Sequence, residues 1–316
     1  MTQAVEESGG AVFLKGKVYL PGGYINVSTP TLYGHMQTYD VASDKWTAET
    51  ERIPAAPSRG GWGDAAVCSD GTKVYVVNGG NGTLIYSALQ IYDPGAPAGQ
   101  RWTISPHAPS LDGTHFFISQ QSGCAWIGGK MYLFGGLGAV QPAGTSTIQK
   151  LTWAYNPATH TWTDTGKKLR VGTWFFGYAS SSTNAFFAGG TTKIATGVPN
   201  KEAESFSPAG GWKSVPSLPV PASSTVPGLL APSLGMLGKN LEVFGGGGYD
   251  GSRFVLQVAT LTCANATCSH WVNASKNLNT ARWFAASAYG GSASTLYVAG
   301  GGKAPSGATN TSEHTR

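Results

Sequence analysis

A short apolar run closing on two glycines recurs six times in this chain of 316 residues, and that recurrence constrains the fold more than any other feature. The doublets are Gly22-Gly23, Gly79-Gly80, Gly135-Gly136, Gly189-Gly190, Gly245-Gly246 and Gly300-Gly301, preceded by runs such as Lys130-Met-Tyr-Leu-Phe134 and Thr295-Leu-Tyr-Val-Ala299. Their first glycines are 57, 56, 54, 56 and 55 residues apart. A fixed period of this length means that one supersecondary unit is repeated and that each copy buries its apolar surface against its neighbours.

Each doublet is preceded by a second small or aromatic run, such as Gly61-Trp-Gly-Asp-Ala-Ala-Val-Cys68, Thr173-Trp-Phe-Phe-Gly-Tyr-Ala179 or Ala281-Arg-Trp-Phe-Ala-Ala-Ser287. It is followed by an aromatic-bearing strand and a turn leading to a tryptophan: Tyr39-Asp40 to Trp46, Tyr92-Asp93 to Trp102, Tyr155-Asn156 to Trp162, Phe206 to Trp212. The fifth copy reaches Trp271 with Val258-Ala259 in place of the tyrosine pair. Short runs rich in β-branched and aromatic residues, separated by Gly, Pro, Asn and Asp, are strands joined by turns, about four to each period. Four antiparallel strands per repeat is the unit of a β-propeller blade. Glycine there takes positive φ and lets a neighbouring backbone approach, while Tyr and Trp fill the space between blades and keep a polar tip for a hydrogen bond.

Composition narrows the function classes. Charged residues are 12% of the chain, against about 25% in an ordinary soluble domain, and Gly supplies 45 positions. A charged helical bundle is excluded, and 41% hydrophobic residues exclude a disordered chain. The net charge of +5 is scattered, with no basic run longer than Lys167-Lys168, so nothing marks a nucleic-acid surface. No apolar stretch approaches the roughly 18 residues of a membrane span. The first eight residues lack the basic and apolar regions of a secretory signal, which leaves an intracellular protein or one whose true N-terminus lies upstream.

In the order glycine doublet, Tyr-Asp, Trp, the chain resembles the kelch-repeat β-propellers, the superfamily that includes the central domain of galactose oxidase. The resemblance runs from about residue 8 to the C-terminus. It implies an all-β, six-bladed kelch-type β-propeller with four antiparallel strands per blade, a single domain over 1–316 with repeats at about 8–57, 58–112, 113–169, 170–220, 221–279 and 280–316. The last blade is incomplete, because the fifteen residues after Gly301 suffice for part of a third strand and not for a fourth. Since a propeller tolerates only short, protected edges, either N-terminal residues complete that blade or the chain is part of a longer one.

The resemblance further implies that the first strand of each blade lines a central channel. The segments leading into these strands then share one face with the loops after the doublets, where ligands of the family usually bind. Candidate ligand-binding residues on that face are Arg59, Trp62, His115, Phe116, Trp174, Phe175, Arg282 and Trp283. Aromatic rings with accessible arginines stack on sugar rings or anchor a peptide, and each ring can equally pack between blades. Trp62 and Trp283, both 17 residues ahead of their doublets, are expected to be equivalent.

The favoured reading is a non-enzymatic binding module for a protein or glycan partner, needing no cofactor. The alternative is an extracellular galactose oxidase-like or other carbohydrate-modifying enzyme. The galactose oxidase type holds copper with two Tyr and two His, and no such set maps here. His35, His107, His115, His160, His270 and His314 show none of the close spacings of a metal motif, so no metal site is expected. Asp64 and Asp112 are the nearest carboxylates to the binding face, and paired acids for acid–base work are not evident.

Cys68 and Cys124 each lie 11 residues before a doublet, at equivalent inner-strand positions of adjacent blades. They are expected as buried free thiols, a cross-blade disulfide or cross-link being the alternative. Cys263 and Cys268 bracket Ala-Asn-Ala-Thr in a turn that suits a small disulfide-closed loop, which would imply an oxidising compartment. Asn26, Asn81, Asn265, Asn273 and Asn310 each head an Asn-X-Ser/Thr glycosylation triplet. Together these features point to a secreted or extracellular glycoprotein, a cytoplasmic protein being the alternative.

Overall fold

The computed structural model describes residues 1–26, 31–54, 61–80, 84–106, 109–110, 112, 114–141, 144–194, 198–219, 227–249, 254–256, 260–264, 270–274, 277–290, 295–302, 308–309 and 311–315. Arg59, His107, Cys268, Asn81, Asn265, Asn310 and the Val258-Ala259 pair lie outside them. Among the described residues six antiparallel blade sheets follow one another along the chain, each built in chain order, with three smaller sheets in the segments between their strands. The first joins Val12–Leu14, Lys17–Pro21, His35–Asp40 and Lys45–Arg52; the second joins Ala66–Ser69, Val74–Val77, Leu89–Tyr92 and Trp102–Ile104. The third joins Gly123–Ile127, Lys130–Phe134, Thr152–Asn156 and Thr161–Asp164; the fourth joins Gly177–Ser180, Ala185–Ala188, Ala203–Ser207 and Gly211–Ser214. The fifth joins Ser233–Leu237, Asn240–Phe244, Thr260–Cys263 and Val272–Asn273. The sixth has three strands among the described residues, Ala286–Gly290, Thr295–Ala299 and Ser312–Thr315.

Burial follows from a blade being covered on both faces. The second strands Val74–Val77 and Ala185–Ala188 are buried at every position, so their sequences need no alternation. The outer strand Lys45–Arg52 is mostly exposed. The apolar clusters form between successive sheets: Cys68, Tyr75, Val77 and Leu89 of the second blade meet Cys124, Met131, Leu133 and Trp153 of the third.

The Tyr…Trp pattern is a cross-strand pair between third and fourth strands. Tyr39 faces Trp46, Tyr92 faces Trp102, Tyr155 faces Trp162 and Phe206 faces Trp212, with ring centroids 5.0–5.3 Å apart. Such pairs add about 0.5–1.5 kcal/mol each beyond the area they bury. In several blades the indole N–H then reaches the preceding blade: Trp212 donates to Thr152 Oγ1 at 2.8 Å and Trp271 to the Pro216 carbonyl at 2.7 Å. Trp46 donates to Ser312 Oγ at 3.1 Å, and Phe13 stacks on Tyr297 at 5.7 Å, so the first blade packs on the sixth. N-terminal residues do not extend the sixth blade; Val12–Leu14 are the innermost strand of the first, paired with Lys17–Tyr19.

The glycine doublets clamp each blade to the next. An N–H of each doublet donates to a carbonyl leading into the following blade: Gly23 to Trp62, Gly79 to Ser119, Gly136 to Thr173, Gly190 to Leu229, Gly246 to Arg282 and Gly301 to Val5, all at 2.7–2.9 Å. The last of these joins the sixth blade to the first. In the second blade the clamp is Asn78-Gly79, at φ 54° and 102°, and not Gly79-Gly80. Gly80 steps past it and bridges to Gly63. Asn tolerates the left-handed region, and its side chain is used there, with Nδ2 donating to the Phe117 carbonyl and Ser119 Oγ at 3.0 and 2.9 Å.

Cys68 and Cys124 are joined by a disulfide rather than free, their Cα atoms 5.5 Å apart on adjacent innermost strands. Equivalent positions on neighbouring inner strands converge toward the axis, which brings them within disulfide range. Cys263 is buried and also disulfide-bonded.

Candidate functional site at the channel mouth

The lead-in segments converge where the innermost strands begin. Each contributes one non-glycine residue at positive φ: Glu7 at 52°, Asp64 at 58°, Gln121 at 51°, Phe175 at 55°, Ala231 at 48° and Phe284 at 51°. Backbone bonds link them from blade to blade, Asp64 N–H to Glu7 O, Gln121 to Asp64, Ala231 to Phe175 and Phe284 to Ala231, at 2.8–3.0 Å. Holding such residues at positive φ costs of the order of 1–3 kcal/mol each, and the inter-blade bonds over-determine the conformation. Glu7, Gln121, Phe175, Ala231 and Phe284 line a central cavity of about 280 Å³. Three residues below the ring, Tyr178 of the fourth blade crosses that cavity; its hydroxyl donates to the Gly9 carbonyl and accepts from Val67 N–H, both at 2.8 Å.

Half of the ring is polar. Asp64 is the acceptor for the Tyr24 hydroxyl at 3.2 Å, for Gln121 Nε2 and for the Glu7 carboxyl. Burial pushes the Asp64 carboxyl up to about 6. Burial, followed by the charge of Asp64 and the hydrogen bond to it, holds Glu7 well above the usual carboxylate range. Both carboxyls are thus pushed toward their protonated forms, and the hydrogen bond between Glu7 and Asp64 makes them titrate as one coupled pair. A paired acid is present after all. Glu7 and Asp64 lie 57 residues apart, as do Asp64 and Gln121, so stepping one period from Asp64 along the sequence finds both partners.

The other half is aromatic. Trp174 stacks on Phe175 at 3.8 Å, Phe175 meets Phe284 edge-on at 4.9 Å, and Phe284 meets Trp283 at 4.7 Å. These four rings arch over the small Ala231 of the intervening blade. Phe175, Phe284 and Trp283 are half-buried, and Trp174 is buried.

The candidates from sequence divide accordingly. Phe175 and Trp283 are partly accessible at the mouth, with Trp174 behind them. Phe116 is exposed on the strand Phe116–Gln120, and His115 is exposed with Nδ1 2.6 Å from Asp112 Oδ2. Trp62 and Arg282 are not on the surface. Trp62 is 2% exposed, donates Nε1 to the Asn78 carbonyl at 2.7 Å and stacks on Tyr86. Arg282 is 1% exposed; its guanidinium donates to the carbonyls of Gly300 and Thr311 and pairs with Glu313 at 2.5 Å. Gly63 bridges Gly80 as Trp283 bridges Gly302, so Trp62 is equivalent to Arg282, not to Trp283. Counting from Gly79, where the clamp begins at Asn78, shifts that alignment by one. Among the described residues no group of three or more His, Cys, Asp and Glu is arranged to hold a metal ion.

A family model of the kelch motif matches residues 121–167, the third blade. The solved structure of YjhT superposes with a TM-score of 0.75, covering 98% of this chain and 94% of that one at 16% sequence identity. No curated protein matches the chain.

Proposed function

The chain is a kelch-type β-propeller, and from that premise we propose that it is a binding module that docks an extracellular protein or glycan partner on the face where the lead-in segments meet the loops after the doublets. The observation that carries this reading is the arc Trp174–Phe175–Phe284–Trp283, a run of large rings left partly open at the one point where all the blades converge. Aromatic anchors in a rigid concave site dominate binding energy in recognition surfaces. Of the seven exposed large apolar side chains among the described residues, Leu84, Phe116, Val140, Ile194 and Val198 belong to the segments that lead into the blades or follow the doublets. They widen the contact across blades two to four.

Location outside the cell is supported by the Cys68–Cys124 bridge and the bonded state of Cys263. Asn26 and Asn273, the triplet asparagines among the described residues, are exposed. Among the described residues no helix is long and apolar enough to cross a membrane.

The test is a binding screen against extracellular protein and glycan arrays with three proteins: wild type, Trp283→Ala, and Lys15→Glu in the exposed turn at the opposite end of the first blade. A hit lost in Trp283→Ala and kept in Lys15→Glu supports the assignment. The converse pattern refutes it.

A further inference from the structure

Three carboxyl groups crowd the mouth beside the aromatic arc: Glu6, Glu7 and Asp64. Glu7 and Asp64 satisfy one another. Glu6 does not share in this. It is 5% exposed, and among the described residues its carboxylate accepts no hydrogen bond and feels only its burial. Its charge is nevertheless felt by Glu7. Its place is fixed by Gly302: a Cβ there would collide both with the Glu6 carboxylate and with the Trp283 indole nitrogen, so the carboxylate and the outermost ring of the arc lie side by side over a glycine.

Among the described residues no Lys or Arg acts on any of the three carboxyls, although the chain as a whole carries a net charge of +5. A buried carboxylate with no partner is costly unless something supplies a counter-charge. A metal ion is a poor fit, since no three acidic or histidine side chains converge on one point among the described residues. The group that satisfies both neighbours at once is an organic cation. An ammonium offers three N–H donors to carboxylates and presents its charge to an aromatic face.

We propose that Glu6 and Trp283 form a subsite for an alkylammonium group, the end of a lysine side chain on the partner, with the aromatic arc receiving the apolar stem. This rests on the reading of the mouth as the binding face and specifies what that face selects. The acidic residues explain the charge preference, and the rings explain why a hydrated inorganic cation would not substitute.

The experiment titrates Nα-acetyl-lysine amide, its uncharged counterpart Nα-acetyl-norleucine amide and methyl galactoside into the intact protein, following indole fluorescence and heat. The lysine probe is expected to bind at least tenfold more tightly than the norleucine probe and to weaken with salt. Glu6→Gln should abolish that tenfold preference, and Trp283→Leu, which keeps the carboxylate, should weaken the lysine probe at least threefold. If Glu6→Gln does not fold by circular dichroism, Trp283→Leu and the wild-type lysine-to-norleucine ratio decide the matter. Equal binding of the two amides, no binding of either, binding of the galactoside alone, or a preference surviving Glu6→Gln each overturns the subsite. A partner from the array screen that loses affinity in Trp283→Ala while the lysine probe fails would leave the binding face standing and remove only this inference.

Discussion

Deleting the bridge between the second and third blades measures how far the ring depends on a covalent link at its axis. The Cys68–Cys124 bond spans a sequence separation of 56 residues. On the chain-entropy account, closing a loop of that length in the unfolded state is worth about 4 kcal/mol at 25 °C. Both sulfurs sit in the wall of the central cavity, packed with Tyr75, Leu89, Met131 and Trp153, so truncation also removes packing. The perturbation is Cys68→Ala/Cys124→Ala, compared with wild type by urea unfolding under non-reducing conditions with tryptophan fluorescence as the probe. A loss of about 4 kcal/mol is expected. Adding reductant should lower wild type toward the variant, and whatever the variant itself then loses belongs to the bond at Cys263. A difference below about 1 kcal/mol would refute the argument that the bridge restrains the unfolded chain.

Other substitutions probe the remaining inferences. Arg282→Ala should cost about 3–5 kcal/mol, because it takes the charged partner from Glu313 and a donor from the carbonyls of Gly300 and Thr311; a thermal melt matching wild type would return Arg282 to the surface. Gly79→Val should cost about 2–4 kcal/mol, since φ is 102° and a Cβ would lie 2.6 Å from the Gly63 carbonyl; calorimetry checks it, and an unchanged midpoint contradicts the clamp. Glu7 and Asp64 keep protons in the folded chain that the unfolded chain releases near pH 4, so stability should fall as pH rises from about 4 through about 6. Glu7→Gln removes one of these titrations and should gain stability over wild type progressively with pH; melting curves that stay parallel from acid to neutral pH would rule the raised Glu7 carboxyl out.

Much of the fold was legible in the amino-acid order because it is local and periodic. The doublets mark inner turns, the Tyr-Asp and Trp mark the third and fourth strands, and the cross-strand pairing of Tyr155 with Trp162 needs only a hairpin. The candidate site was legible in part, as the aromatic pairs Trp174-Phe175 and Trp283-Phe284. What one blade presents to the next was not. Arg282 and Trp62 occupy equivalent buried places although one is charged and the other apolar, because each is judged by the carbonyls behind it: Gly300 and Asn78. Asn78 serves as a doublet glycine because Phe117 and Ser119 of the next blade hold its side chain.

The chain alone thus determined a ring of antiparallel blades, through a repeat that can bury itself only against copies of itself. Only the tertiary structure decided that Glu7 hydrogen-bonds Asp64, that Cys68 bonds Cys124, and that Glu6 lies beside Trp283. Each of these depends on the convergence of inner strands toward a common axis. Residues a full period or more apart in sequence meet there at contact distance, in an interior that penalises any charge or polar group left unmatched.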